Sequence, residues 1–139
     1  MSDPLYAKDL LRLAASATGA GRLQMFDAEG SAHNPACGDR VAVTLRLDGN
    51  RRIIEIGHEI SACVLAQASA SLLGAHLEGA DAAMVQRLRL EVGAMLRDGD
   101  VPPPPFAGYS ALKGAAPYRN RHTCVLLPID AVLDALGKT

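Results

Sequence analysis

The residues best suited to chemistry lie in the stretch Asn34-Pro35-Ala36-Cys37-Gly38-Asp39-Arg40. A thiol and a carboxylate stand two positions apart, with a glycine between them. Both groups bind cations, and glycine tolerates the backbone angles that let the two side chains converge on one ion. Pro35 fixes one φ angle and biases Asn34 toward extended geometry, so the approach to the pair is stiff. Taken alone, the stretch is better read as a Pro/Gly turn entering a strand, with Cys37 an ordinary buried thiol. The other two cysteines, Cys63 and Cys124, change that balance.

The elements around the pair decide whether the cysteines can meet. Val41 to Leu47 alternates between apolar and mixed positions, Asp48-Gly49-Asn50 is a tight-turn signal, and Arg51 to Gly57 returns with Ile53, Ile54 and Ile56. This pattern predicts a hairpin. Cys37 and Asp39 come just before its first strand and Cys63 shortly after its second, so the three belong at the same end of the sheet. Cys63 opens a small-residue segment running to Leu73 that predicts a closely packed helix. A cysteine at a helix N-terminus has its thiolate favoured by the macrodipole. On its own, Cys63 reads as a small core residue at a helix start.

The rest of the chain supplies the frame. Asp3-Pro4 predicts a helix start, Leu5, Leu10, Leu11, Leu13 and Ala14 give that helix an apolar face, and Gly19-Ala20-Gly21 ends it. Arg22 to Ala28 reads as a short edge strand and Glu29 to His33 as a loop. Gly74 to Gly79 reads as a break. Asp81 to Asp98 predicts a helix with a stripe of Met84, Val85, Leu88, Val92, Met95 and Leu96, its methionines in the core. Pro102 to Pro105 is a stiff connector, and Phe106 to Pro117 is irregular or a short helical turn. Val125 to Leu136 predicts an amphipathic closing helix with Cys124 near its start. Pro128 then belongs in its first turn, or the helix begins later. His122 is a further candidate ligand, although lone histidines are more often surface or satisfied core residues.

Bulk properties narrow the function classes. The chain has 139 residues, 49% of them hydrophobic, no tryptophan, and a net charge of −1 from 14 basic and 15 acidic side chains. That length predicts one domain over 1–139. The charge balance gives no field to recruit nucleic acid or an anionic membrane, and no apolar run is long enough to cross a bilayer. Asp3, Lys8 and Asp9 are unlike a secretory signal, so a cytoplasmic location is the expectation. Three cysteines cannot all pair, and in a reducing compartment they remain thiols for metal or sulfur chemistry. Two cysteines near helix starts and a Cys-Gly-Asp turn beside a hairpin describe a Cys₃Asp site, and thiolate-rich ligation selects zinc or an iron–sulfur cluster. A carboxylate holds a soft metal weakly, which suits a cargo to be passed on.

These residues resemble the IscU/NifU-type iron–sulfur scaffold family, and within it the SufU branch most closely. Asn34-Pro-x-Cys-Gly-Asp-Arg40 is similar to the first ligand motif, Cys63 followed by Ala68-Ser69-Ala70-Ser71 to the second, and Arg121-x-x-Cys124 to the third. The intervals are 63 − 37 = 26 and 124 − 63 = 61 residues, the second similar to the insertion-bearing SufU proteins. The resemblance implies an α+β fold like the IscU/NifU N-terminal domain, a small antiparallel sheet of about three strands with several helices packed on one face. It implies Cys37, Asp39, Cys63 and Cys124 as ligands of zinc or a nascent cluster, and Cys124 as the acceptor of sulfur from a cysteine desulfurase of the SufS/IscS kind. Downstream cluster carriers or apoproteins are the implied recipients. Ala62 stands where the family often has glycine, and Thr123 where the IscU branch has a ligand histidine, with His122 one position out of register. The Leu-Pro-Pro-Val-Lys chaperone signal is absent, so no dedicated chaperone is expected.

Two functional classes remain from the sequence. One is a scaffold on which iron and sulfide meet. The other is a zinc-bearing sulfurtransferase, in which Arg121 pairs with Asp39 or His122 replaces Cys124 on zinc. A structural zinc domain is the weakest reading, because Asp39 is a poor ligand for a closed site.

Overall fold

A computed structural model describes residues 8–35 and 38–137. The expected helix start at Asp3-Pro4 and the candidate ligand Cys37 lie outside these residues. The described elements run α1 (Lys8–Ser16), β1 (Ala28–Asn34), β2 (Asp39–Leu47), β3 (Ile53–Ser61), α2 (Val64–His76), α3 (Ala82–Met95), a 3₁₀ helix (Ala107–Ala115) and α4 (Arg119–Gly137). The strands form an antiparallel sheet in the order β1-β2-β3. The α+β architecture agrees with the sequence pattern.

The hairpin forms because Val41, Val43 and Leu45 alternate with Arg40, Ala42, Thr44 and Arg46, and the first three are buried. Asp48 secures its turn by accepting the N–H groups of Asn50 and Arg52 at 2.8 and 2.9 Å. α4 lies across β1 and β2, α2 reaches β3, and α1 and α3 pack outside them on α2 and α4 respectively. The helices therefore cover one face of the sheet. Tyr109 of the 3₁₀ helix anchors the far side of α2, fully buried and 2.8 Å from the Ser69 hydroxyl. Losing that buried partner would cost about 1–3 kcal/mol.

Several elements differ from the sequence reading. Arg22 to Ala28 is not an edge strand, and the supposed loop from Glu29 to His33 is most of β1. The alternation is present there, but its inward positions are Ala28, Gly30 and Ala32, too small to read as a strand face. That smallness lets α4 approach: a Cβ on Gly30 would lie 2.3 Å from the Ala135 nitrogen and 2.7 Å from the Ala131 oxygen. The segment before β1 instead crosses the outer face of the sheet, where the Leu23 N–H donates to Thr44 Oγ1 at 3.1 Å. β3 runs on to Ser61, beyond the expected end at Gly57.

Gly74 does not break α2, which continues to His76. Its missing side chain admits the chain after α1, since a Cβ there would lie 2.0 Å from the Thr18 oxygen. Met95 is buried as expected, but Met84 is 55% exposed and leaves the apolar stripe of α3. α4 begins at Arg119, six residues earlier than the apolar pattern suggests, and Pro128 sits inside it rather than in its first turn. Proline has no N–H for the carbonyl four residues back, here that of Cys124.

Candidate metal centre

Three elements meet at one end of the sheet. Asp39 is the first residue of β2 and pairs with Asn34, the last of β1. The turn between them needs Gly38, whose φ of +76° is the left-handed region that side chains disfavour. The Gly38 N–H closes the turn on the Asn34 oxygen at 2.8 Å. Asp39 shares the side of β2 that carries Val41 and Val43, so its carboxylate faces α4 and not the open face of the sheet.

Cys63 is the N-cap of α2, with extended backbone angles and no side-chain cap bond of its own. Gln67 sets the chain's entry by donating its Nε2 to the Ala62 oxygen at 3.0 Å. Cys63 is half-buried at the start of α2. Cys124 comes from the opposite side. It is the sixth residue of α4, 1% exposed, and its Sγ donates to Asp39 Oδ2 at 3.4 Å. The Asp39 oxygen, the Cys63 sulfur and the Cys124 sulfur all lie within 4.8 Å of one another.

The donor set fits a thiophilic cation. Two sulfurs on one tetrahedral zinc stand about 3.8 Å apart from Zn–S bonds of about 2.3 Å. The observed cluster is of that size or slightly wider. Without a cation, burial pushes the Cys124 thiol well above the ordinary cysteine range, and the neighbouring Cys63 and Asp39 push it in the same direction. Although the sequence pattern puts Cys124 near the start of the closing helix, it lies in the second turn of α4 and is enclosed. A bound cation would reverse the balance, so metal uptake here is coupled to release of the Cys124 proton.

Other candidates stand apart from this cluster. His122 donates Nε2–H to the Ala116 oxygen at 2.9 Å, which leaves Nδ1 as its only lone pair. It is not in the three-residue group. Among the described residues Arg121 forms no ion pair with Asp39, so the proposed withdrawal of that carboxylate has no counterpart here. The sequence reading missed the part of Gln67, whose only signal was a long polar side chain one turn into a small-residue helix.

Residues 5–124 match the family model of the NifU-like N-terminal domain. The chain belongs to that family. The crystal structure of a nitrogen-fixing NifU-like protein (N-terminal) from Brucella abortus is similar at 31% identity and a TM-score of 0.90, covering 98% of this chain and 94% of that one. A structure described as a putative iron–sulfur cluster assembly scaffold protein for the SUF system, from Fervidobacterium islandicum AW-1, shares the fold. Its TM-score is 0.80 at 19% identity, covering 98% of this chain and 99% of that one. No curated protein matches the chain in sequence.

Proposed function

We propose that the protein is an iron–sulfur cluster assembly scaffold, a single unit over 1–139 that holds zinc or a nascent cluster on Cys37, Asp39, Cys63 and Cys124. The observation that carries this reading is the meeting of one carboxylate and two thiols from β2, α2 and α4 within 4.8 Å. Thiolates select soft cations, while the carboxylate is the ligand that leaves when cargo is passed on. Cys63 stands at the half-buried lip and Cys124 behind it, so cargo enters and leaves past Asp39 and Cys63.

Cysteine desulfurase is the proposed sulfur source, cluster carriers or apoproteins the recipients, and the cytoplasm the location. No described helix is long and apolar enough to cross a membrane. Cys124 is the proposed sulfur acceptor. At 1% exposure it takes sulfur only after the Asp39 and Cys63 side chains move aside. The alternative, a zinc-dependent sulfurtransferase, draws its support from the Cys124–Asp39 hydrogen bond, which would hold the thiol ready once it leaves zinc.

The test is anaerobic incubation with a cysteine desulfurase, ferrous iron and excess cysteine, which supplies the sulfur and, as free thiol oxidised to cystine, the two electrons that take persulfide sulfur to sulfide. The scaffold reading expects iron and acid-labile sulfide to accumulate together on the protein and to fail in Cys63→Ser and Cys124→Ser. Persulfide on the Cys124 peptide with zinc retained and no sulfide would favour the sulfurtransferase. Sulfur on neither would overturn both.

A further inference from the structure

The open face of the sheet carries a depression that the metal centre does not use. At the end of the sheet nearest Asp39, two cross-strand rows point away from the helices. His33, Arg40 and Ser61 form one row, and Ser31, Ala42 and Glu59 the next. The small side chains Ala42, Ser31 and Ser61 make a floor, and His33, Arg40 and Glu59 rise around it. The resulting trough has a volume of about 500 Å³, within the usual range for small-ligand sites, about 300–1,000 Å³.

Its charges are opposite in sign and unspent. Arg40 pairs across the ladder with Ser61, so Glu59 is its diagonal neighbour on β3, a relation that puts two long side chains within reach of each other. The ion pairs among the described residues are Arg22–Glu29, Arg46–Glu55 and Arg89–Asp130, and neither Arg40 nor Glu59 is in them. Both residues line the trough with no ion pair between them, so each head group is available to a molecule carrying the opposite charge. A guanidinium with an adjacent imidazole and two hydroxyls receives a carboxylate, and the Glu59 carboxylate receives an ammonium. We propose that this trough is a binding site for a small amino-acid zwitterion, its carboxylate on Arg40 and His33 and its ammonium on Glu59. The site is separate from the metal centre: Arg40 and Asp39 are neighbours in sequence but point to opposite faces of β2.

The experiment is an amide-resolved NMR titration of the full chain with L-alanine, a zwitterion without a metal-binding side chain, against acetate and ethylammonium. Saturable shifts are expected at Ser31, His33, Arg40, Ala42 and Glu59, with each single-charge probe binding more weakly. Arg40→Gln and Glu59→Gln should each weaken L-alanine about tenfold, the loss of one charge-assisted hydrogen bond. Both side chains are exposed, so the variants should keep the parent spectrum elsewhere. Arg46→Gln, on the same strand but tied to Glu55, should leave binding unchanged. Acetate binding as tightly as L-alanine, with Glu59→Gln strengthening both, would reduce the trough to an anion site and overturn the proposal. So would equal weakening by Arg46→Gln, or no saturable shift at tens of millimolar L-alanine.

Discussion

Gly30→Ala tests whether the close seat of α4 on β1 is what holds the metal centre together. The added Cβ would meet the Ala135 nitrogen at 2.3 Å and the Ala131 oxygen and Ala135 Cα at 2.7 Å. These are helix backbone atoms, so no side chain can swing away. Ordinary contact begins near 3.4 Å, so α4 must retreat by 3.4 − 2.3, or 1.1 Å, along the line to Ala135. Overpacking of this kind costs about 1–3 kcal/mol, and the backbone contacts put this site toward the upper end. For a chain of this size that is a fall in Tm of roughly 10 °C. Cys124 lies two turns before Ala131 on the same helix, and its sulfur is already 3.4 Å from Asp39. A shift of that size opens the donor set and should weaken zinc about tenfold, as other changes to the support of metal ligands do. Thermal melting of the metal-free protein and zinc competition against a chromophoric chelator measure the two effects. Gly49→Ala is the control, since nothing lies within 4 Å of its Cβ position. A Gly30→Ala protein with parental Tm and zinc affinity would refute the reasoning.

Two further outcomes concern His58 and Asp39. His58 is 4% exposed and donates Nε2–H to the Thr18 oxygen at 2.8 Å, and burial lowers its pKa below the ordinary 6.5. The unfolded chain therefore binds the proton more readily, so stability present above about pH 6.5 is lost on acidification toward the folded-state pKa. Melts between pH 8 and pH 5 should show that loss, with a shallower slope in His58→Gln; identical slopes would remove His58 as its source. Asp39→Ala should leave a site of thiolates alone, and a reconstituted cluster should persist longer during transfer to an apoprotein than in the parent. Equal or faster loss would make Asp39 a turn residue only.

The site was more legible in the sequence than parts of the frame that holds it. Val41 to Leu47 and the isoleucines after the turn alternate with large side chains, so the hairpin stood out and fixed Asp39 and Cys63 at one end. β1 was hidden because its inward residues are Ala28, Gly30 and Ala32, chosen by the closeness of α4 and not by strand propensity. The start of α4 was hidden for a different reason. Arg119 to Thr123 is polar and shows no apolar period, and Pro128 argued for a later start. With α4 starting at Arg119, Cys124 falls in its second turn and is enclosed, a burial that the polar stretch before it gives no sign of. The trough on the outer face depends on the β1 register, so it too could not be read before β1 was known.

The central claim is that Asp39, Cys63 and Cys124, with Cys37, bind one metal. X-ray absorption at the zinc edge of the metal-loaded protein tests it most directly. The expected shell is sulfur-dominated at about 2.3 Å with one oxygen near 2.0 Å, the oxygen lost in Asp39→Ala and one sulfur lost in Cys63→Ser. A shell of nitrogen and oxygen alone, or one unchanged by both substitutions, would contradict it.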